Sequence, residues 1–188
     1  MTLADHVRPI DRNRALLYDA TLIIGGTILI ALSAQIRFLL PFSPVPVTGQ
    51  TFAVLLVGAL FGAKRGAATV LAYLTQGLAG LPVFAGGMSG AAYFAGPTGG
   101  YLAGFVIAAY VVGLAADRGW MRNALRVAIA MVAGNLAIYS FGAMWLAAFT
   151  GLPQAVAAGV VPFLAGDVLK IAVAMIVLPV AHRMLGSR

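Results

Sequence analysis

Pro162-Phe163-Leu164-Ala165-Gly166-Asp167-Val168-Leu169-Lys170-Ile171-Ala172-Val173 is apolar except for one acid and one base, and the apolar character continues almost unbroken to Pro179. Opposite charges three residues apart share one helix face. Inside a spanning helix each ionised side chain costs roughly 2.5 to 3.5 kcal/mol on insertion scales. Asp167 and Lys170 therefore call for a partner or a purpose.

The rest of the chain fixes the solvent in which that run must fold. Of its 188 residues, 62% are hydrophobic and only 9% charged, with a mean hydropathy of +0.99. Soluble domains carry about 25% charged residues. A hydrocarbon core about 30 Å thick takes about 20 apolar helical residues. Hydropathy divides the sequence into six such spans, roughly at 16–39, 47–63, 66–84, 98–116, 123–150 and 158–184. The expected fold is an all-α membrane protein, a single domain over 1–188, with residues 1–14 as a cytoplasmic segment.

Orientation follows from the basic residues. Arg8, Arg12 and Arg14 precede the first span, Lys64 and Arg65 join the second to the third, and Arg118, Arg122 and Arg126 join the fourth to the fifth. Arg183 and Arg188 follow the sixth. Six spans place all of these on one side, and the positive-inside rule makes it cytoplasmic, with both termini. Arg37 alone falls outside, and Lys170 within the membrane. The net charge of +7 is thereby spent on topology anchors, and no nucleic-acid platform is expected. Leu32-Ser33-Ala34-Gln35 loosely imitates a signal-peptide cleavage site, but the preceding run is too long for a signal core and reads as the first span.

Two outer connections stand out. Pro41, Pro44 and Pro46 bar a regular helix and predict an extended segment, after which Thr48, Gln50 and Thr51 open the second span as caps or as ligand contacts. Residues 81–97, rich in glycine yet only moderately polar, read either as an extracytoplasmic lid bearing Phe84, Tyr93 and Phe94 or as a loop packed on the helix ends. Asn135 and Tyr139 share a face of the fifth span and predict interhelical hydrogen bonding. Counted from Pro162, Asp167 lies about 7.5 Å and Lys170 about 12 Å along the last helix. The pair thus falls in the outer half of the membrane, where it either stitches helices together or marks a binding site.

Several chemistries are excluded or disfavoured. There is no cysteine, so no thiolate nucleophile or thiolate metal site exists, and no metal or cofactor is expected. Lys64 lacks the glycine-lysine-serine/threonine context of a phosphate-binding loop, so no ATP motor is encoded. Catalysis by Asp167 would need a second acid, but Asp5, Asp11, Asp19 and Asp117 all fall on the cytoplasmic side, as do His6 and His182, and glutamate is absent.

Three motifs, taken in order, resemble the BioY family, the biotin-binding S component of energy-coupling factor (ECF) transporters. They are Val45-Pro46-Val47-Thr48-Gly49-Gln50-Thr51, then Gly80-Leu81-Pro82-Val83-Phe84 with Pro97-Thr98-Gly99-Gly100-Tyr101-Leu102, and finally Pro162 through Lys170. The resemblance implies a six-helix S-component bundle in the cell membrane, capture of biotin from outside, and partners comprising a membrane T component and two ATPase subunits; the alternative is a solitary, proton-coupled biotin transporter. It makes Asp167 and Lys170 the leading biotin contacts. Tyr93 and Phe84 would flank the rings, and Thr48, Gln50 and the backbone of Gly86 and Gly87 would supply further hydrogen bonds. S components tend to present a repeated small-residue face on the first span to their partner. Here only Thr27 with Ala31, and Gly26 with bulky Ile30, approach that pattern.

Overall fold

The computed structural model describes residues 2–185, so Arg188 lies outside the described residues. Nine α-helices occur among these residues: α1 Leu3–His6, α2 Arg12–Gln35, α3 Gln50–Phe61, α4 Ala63–Leu78, α5 Gly90–Ala95, α6 Gly99–Asp117, α7 Ala124–Thr150, α8 Leu152–Gly159 and α9 Val161–Leu185. The departure from an all-α fold is small. Arg37–Phe38 (β1) pairs antiparallel with Val47–Thr48 (β2), with Arg37 opposite Thr48. The proline-rich segment is thus a short ribbon, extended as its prolines demand.

Four helical stretches are long and apolar enough to cross a membrane: 12–35, 99–117, 124–150, and 152–184, in which α8 and α9 run together with a break at Val160. The second and third expected spans are shorter than their hydropathy suggests. At 1.5 Å per residue, α3 is about 18 Å long and α4 about 24 Å. Their boundary also lies earlier than Lys64 and Arg65, which fall in the first turn of α4. The chain turns instead at Gly62, whose φ of +83° is strained for residues with a Cβ. Asp117 accepts a hydrogen bond from the Ala63 N–H at 3.2 Å, securing one of the orphan donors that open α4.

The first expected span is displaced by four residues, to 12–35. Asp11 caps it by accepting from the Arg14 N–H, and extended backbone at Ile36 ends it before the ribbon.

Packing explains which helices are central. Sixty-seven per cent of the apolar stretch of α6 is buried, against 22% of that in α2. α6 lies against α3, α4 and α7, and it approaches α3 closely because Gly58 has no side chain: a Cβ there would lie 2.5 Å from the Ala109 carbonyl oxygen. The outward faces of α2 and α9 display Ile24, Ile28, Leu32, Leu169 and Ile176, apolar area suited to lipid rather than water.

Candidate functional site

Six elements converge at one end of the bundle around a partly open cavity. β2 delivers Thr48, and the first turn of α3 brings Gln50 and Thr51 to one wall. The N-terminal half of α6 contributes Tyr101, Leu102 and Phe105, α7 contributes Ile138 and Tyr139, and α9 contributes Phe163. Tyr93 of α5 and Ala85 form the roof. The Tyr101 and Phe163 rings stack with centroids 6.4 Å apart, and Tyr139 meets Phe163 edge-on. Such a wall offers flat apolar faces with a few polar groups at fixed places, as small-molecule sites do.

The charged pair sits behind that wall and reaches the cavity through its partners. One oxygen of Asp167, 4% exposed, accepts the Tyr139 hydroxyl; the other accepts from Lys170 Nζ at 3.2 Å. Lys170 also donates to Thr51 Oγ1 at 2.8 Å and to the Thr48 carbonyl at 3.3 Å. The acid and the base thus tie α9 to α7 and to the start of α3. A buried ion pair repays its desolvation only when further hydrogen bonds satisfy both ends. Here both ends are satisfied, and three of the groups involved, Tyr139, Thr48 and Thr51, line the cavity.

The roof is folded down. Phe84 is fully buried, stacked on Tyr93 at 5.3 Å and edge-on to Tyr73 at 5.7 Å. Gln50 Nε2 donates to the Tyr73 hydroxyl, which in turn donates to the Val83 carbonyl, at 2.6 and 2.9 Å. Residues 81–97 are therefore more ordered than a plain loop. They contain α5, and Trp145 Nε1 on α7 holds their far end through the Gly96 carbonyl at 2.9 Å.

Of the residues expected from sequence, Thr48, Gln50 and Tyr93 line the cavity. Phe84 backs Tyr93, and Asp167 and Lys170 bond the lining. Gly86 and Gly87 form a turn within 81–97 and are not among the lining residues, with φ of +75° and +72°. Tyr101, Phe105 and Phe163 were not among the expected contacts, although Tyr101 and Phe163 lie inside the motifs quoted above. Tyr139 does bond between helices, as expected, but its acceptor is Asp167.

Fold and site together define a helical membrane protein with a partly enclosed, aromatic-walled cavity. Comparison with known proteins narrows this class. The BioY family model matches residues 7–187, and the chain belongs to the BioY family. A probable biotin transporter BioY of Pyrococcus horikoshii is 39% identical over 90% of this chain and 97% of its own. The biotin transporter BioY of Rhizobium etli is 38% identical over 79% and 84%. The 2.1 Å crystal structure of the S-component for biotin from an ECF-type ABC transporter superposes with a TM-score of 0.80 at 26% identity, covering 93% of this chain and 95% of that one. Proteins of this family are transporters, not enzymes.

Proposed function

We propose that this chain is the biotin-binding S component of an ECF transporter: it captures biotin at the outer face of the cell membrane, and partner ATPases acting through a T component energise release inward. In this reading α2, α3, α4, α6, α7 and α9 form six crossings with both termini cytoplasmic. The short α3 and α4 are accommodated by local thinning of the bilayer or by their polar ends.

The observation that carries the reading is the cavity, whose two kinds of wall match the two parts of biotin. Biotin has an apolar sulfur ring fused to a ureido group with two N–H donors and one carbonyl, and a tail ending in a carboxylate. Tyr93, Tyr101, Phe105 and Phe163 offer faces for the rings. Tyr139 and Lys170 occupy the two oxygens of Asp167. A ureido N–H engages Asp167 by taking the place of one of these donors. The displaced Lys170 ammonium or Tyr139 hydroxyl then becomes free to donate to the ligand's carbonyl or carboxylate. Thr48 and Gln50 supply hydrogen bonds from the α3 side, and Phe84 with the turn at Gly86 and Gly87 closes the roof.

Equilibrium binding of biotin to the purified protein tests the site. Charge-assisted hydrogen bonds are worth about 1.5 to 3 kcal/mol, so Asp167→Asn and Lys170→Ala each lower affinity by roughly 10- to 100-fold. Undiminished affinity in both variants would sink the assignment. Energisation is tested separately in vesicles that contain this chain alone: uptake that survives without any ATPase and collapses with the proton gradient would replace the ECF reading with solitary transport.

A further inference from the structure

Gln35, the last residue of α2, lies outside the cavity, yet its side-chain amide holds both ends of the turn that forms the lid's tip. Its Nε2 donates to the Phe84 carbonyl at 3.2 Å, and its Oε1 accepts from the Gly87 N–H at 3.0 Å. Nε2 also donates to the Ala31 carbonyl at 3.0 Å, which anchors the amide to its own helix. Between the two lid contacts the turn closes on itself, with the Gly87 N–H donating to the Phe84 carbonyl at 3.0 Å. Over the turn lies the Arg37 guanidinium, so close that a Cβ on Gly86 would collide with it. The residue whose carbonyl Gln35 grips is the one whose ring is buried against Tyr93 and Tyr73. Withdrawing Phe84, and with it the roof, requires these two bonds to break.

We propose that Gln35 is a positioning residue for transport, a latch that ties the closed lid to the outer end of α2 and sets the rate at which ligand enters and leaves. The inference rests on the biotin reading of the cavity. The hydrogen bonds of Gln35 reach Ala31, Phe84 and Gly87, none of which lines the cavity, so it acts on the barrier to opening and not on the contacts made with ligand. In this proposal the lid must open both for entry and for exit, so the latch opposes entry as well as exit. Losing it raises both rates by a common factor and leaves their ratio nearly constant.

The experiment compares the full-length wild type with Gln35→Ala and Gln35→Glu. With labelled biotin, Gln35→Ala is expected to raise the association and dissociation rate constants together by roughly 3- to 30-fold, as the loss of one or two neutral hydrogen bonds allows, with the dissociation constant changed less than twofold. Gln35→Glu keeps the acceptor for Gly87 but loses the donor to Phe84, and its rates fall between those of wild type and Gln35→Ala. Unchanged rates, or faster dissociation with unchanged or slower association, would overturn the latch, the second pattern being that of a ligand contact or a damaged fold. Amide hydrogen exchange at Gly87 in the ligand-free protein tests the latch without any substrate. It accelerates several-fold in Gln35→Ala if the Oε1 bond protects it, and equal exchange in the two proteins refutes the proposal. Should wild type bind no biotin while Gly87 exchange still responds to Gln35→Ala, the biotin reading fails and the latch stands.

Discussion

Tyr139 is the residue on which the charged pair depends most directly. Among the described residues, its hydroxyl is one of two donors to a carboxylate that is 4% exposed. Tyr139→Phe keeps the ring against Phe163 but leaves an Asp167 oxygen without that donor, and an unsatisfied buried acceptor costs about 1 to 3 kcal/mol. The expected outcome is a lower unfolding temperature in the same detergent, with the helical circular dichroism of the folded state preserved; an unchanged temperature would mean that Asp167 readily recruits another donor. Asp167 and Lys170 were legible in the sequence because ionised groups are conspicuous in an apolar run. That Tyr139 would bond Asp167 was not, because the two lie 28 residues apart on different helices and no periodicity within α7 reports such a meeting. Phe163 and Tyr101 escaped notice for a related reason: among so many apolar residues, the aromatic that faces a cavity looks like one that faces a neighbour.

At the scale of elements, hydropathy located every long helix but misjudged where α3 ends and α4 begins. Charge drew the boundary toward Lys64 and Arg65, whereas the backbone turns where positive φ is tolerated, at Gly62. That residues 81–97 pack rather than merely link was legible from their apolar character. Their internal helix was not, since six residues are too few to show a helical period. Contact between α3 and α6 rests on a missing side chain, which gives a paired test. Gly58→Ala sets a Cβ against the Ala109 carbonyl and is expected to lower the unfolding temperature, while Gly25→Ala, which meets nothing within 4 Å, leaves it unchanged or slightly raised because alanine favours the helix by about 0.5 to 1 kcal/mol. Equal effects at the two positions would show that the helices separate freely at this crossing.

Across the whole molecule the charges segregate. One end carries the cavity; at the other, Arg65 bridges Asp5 at 2.8 Å and Asp19 at 3.0 Å, and Arg8 joins Asp19 at 2.8 Å, binding α1 and α2 to α4. Burial works to raise the Asp5 carboxyl, but hydrogen bonds from Thr2 and Arg65, with the Arg65 charge, outweigh it and hold Asp5 below its ordinary 3.8. A lowered folded pKa means stability that is present above the unfolded value and lost as pH falls through the folded one. Acid titration of the unfolding temperature should therefore decline below about pH 4, and less steeply in Asp5→Asn; identical slopes would remove Asp5 from the account. Because the sequence has no cysteine, orientation is testable without background. A cysteine replacing Ser43 should react with an impermeant maleimide from outside intact cells and one replacing Arg126 only after permeabilisation, and the reverse pattern would invert the topology.

Asp167 and Lys170 ride on one helix. As an ion pair 3.2 Å apart, their charges sum to zero. Any displacement that carries α9 through the membrane as a unit therefore does no net electrical work on the pair, although a lone charge would exchange about 2.3 kcal/mol with each 100 mV it crossed. Under the transport function proposed above, voltage acting on this pair would pull such a movement neither way.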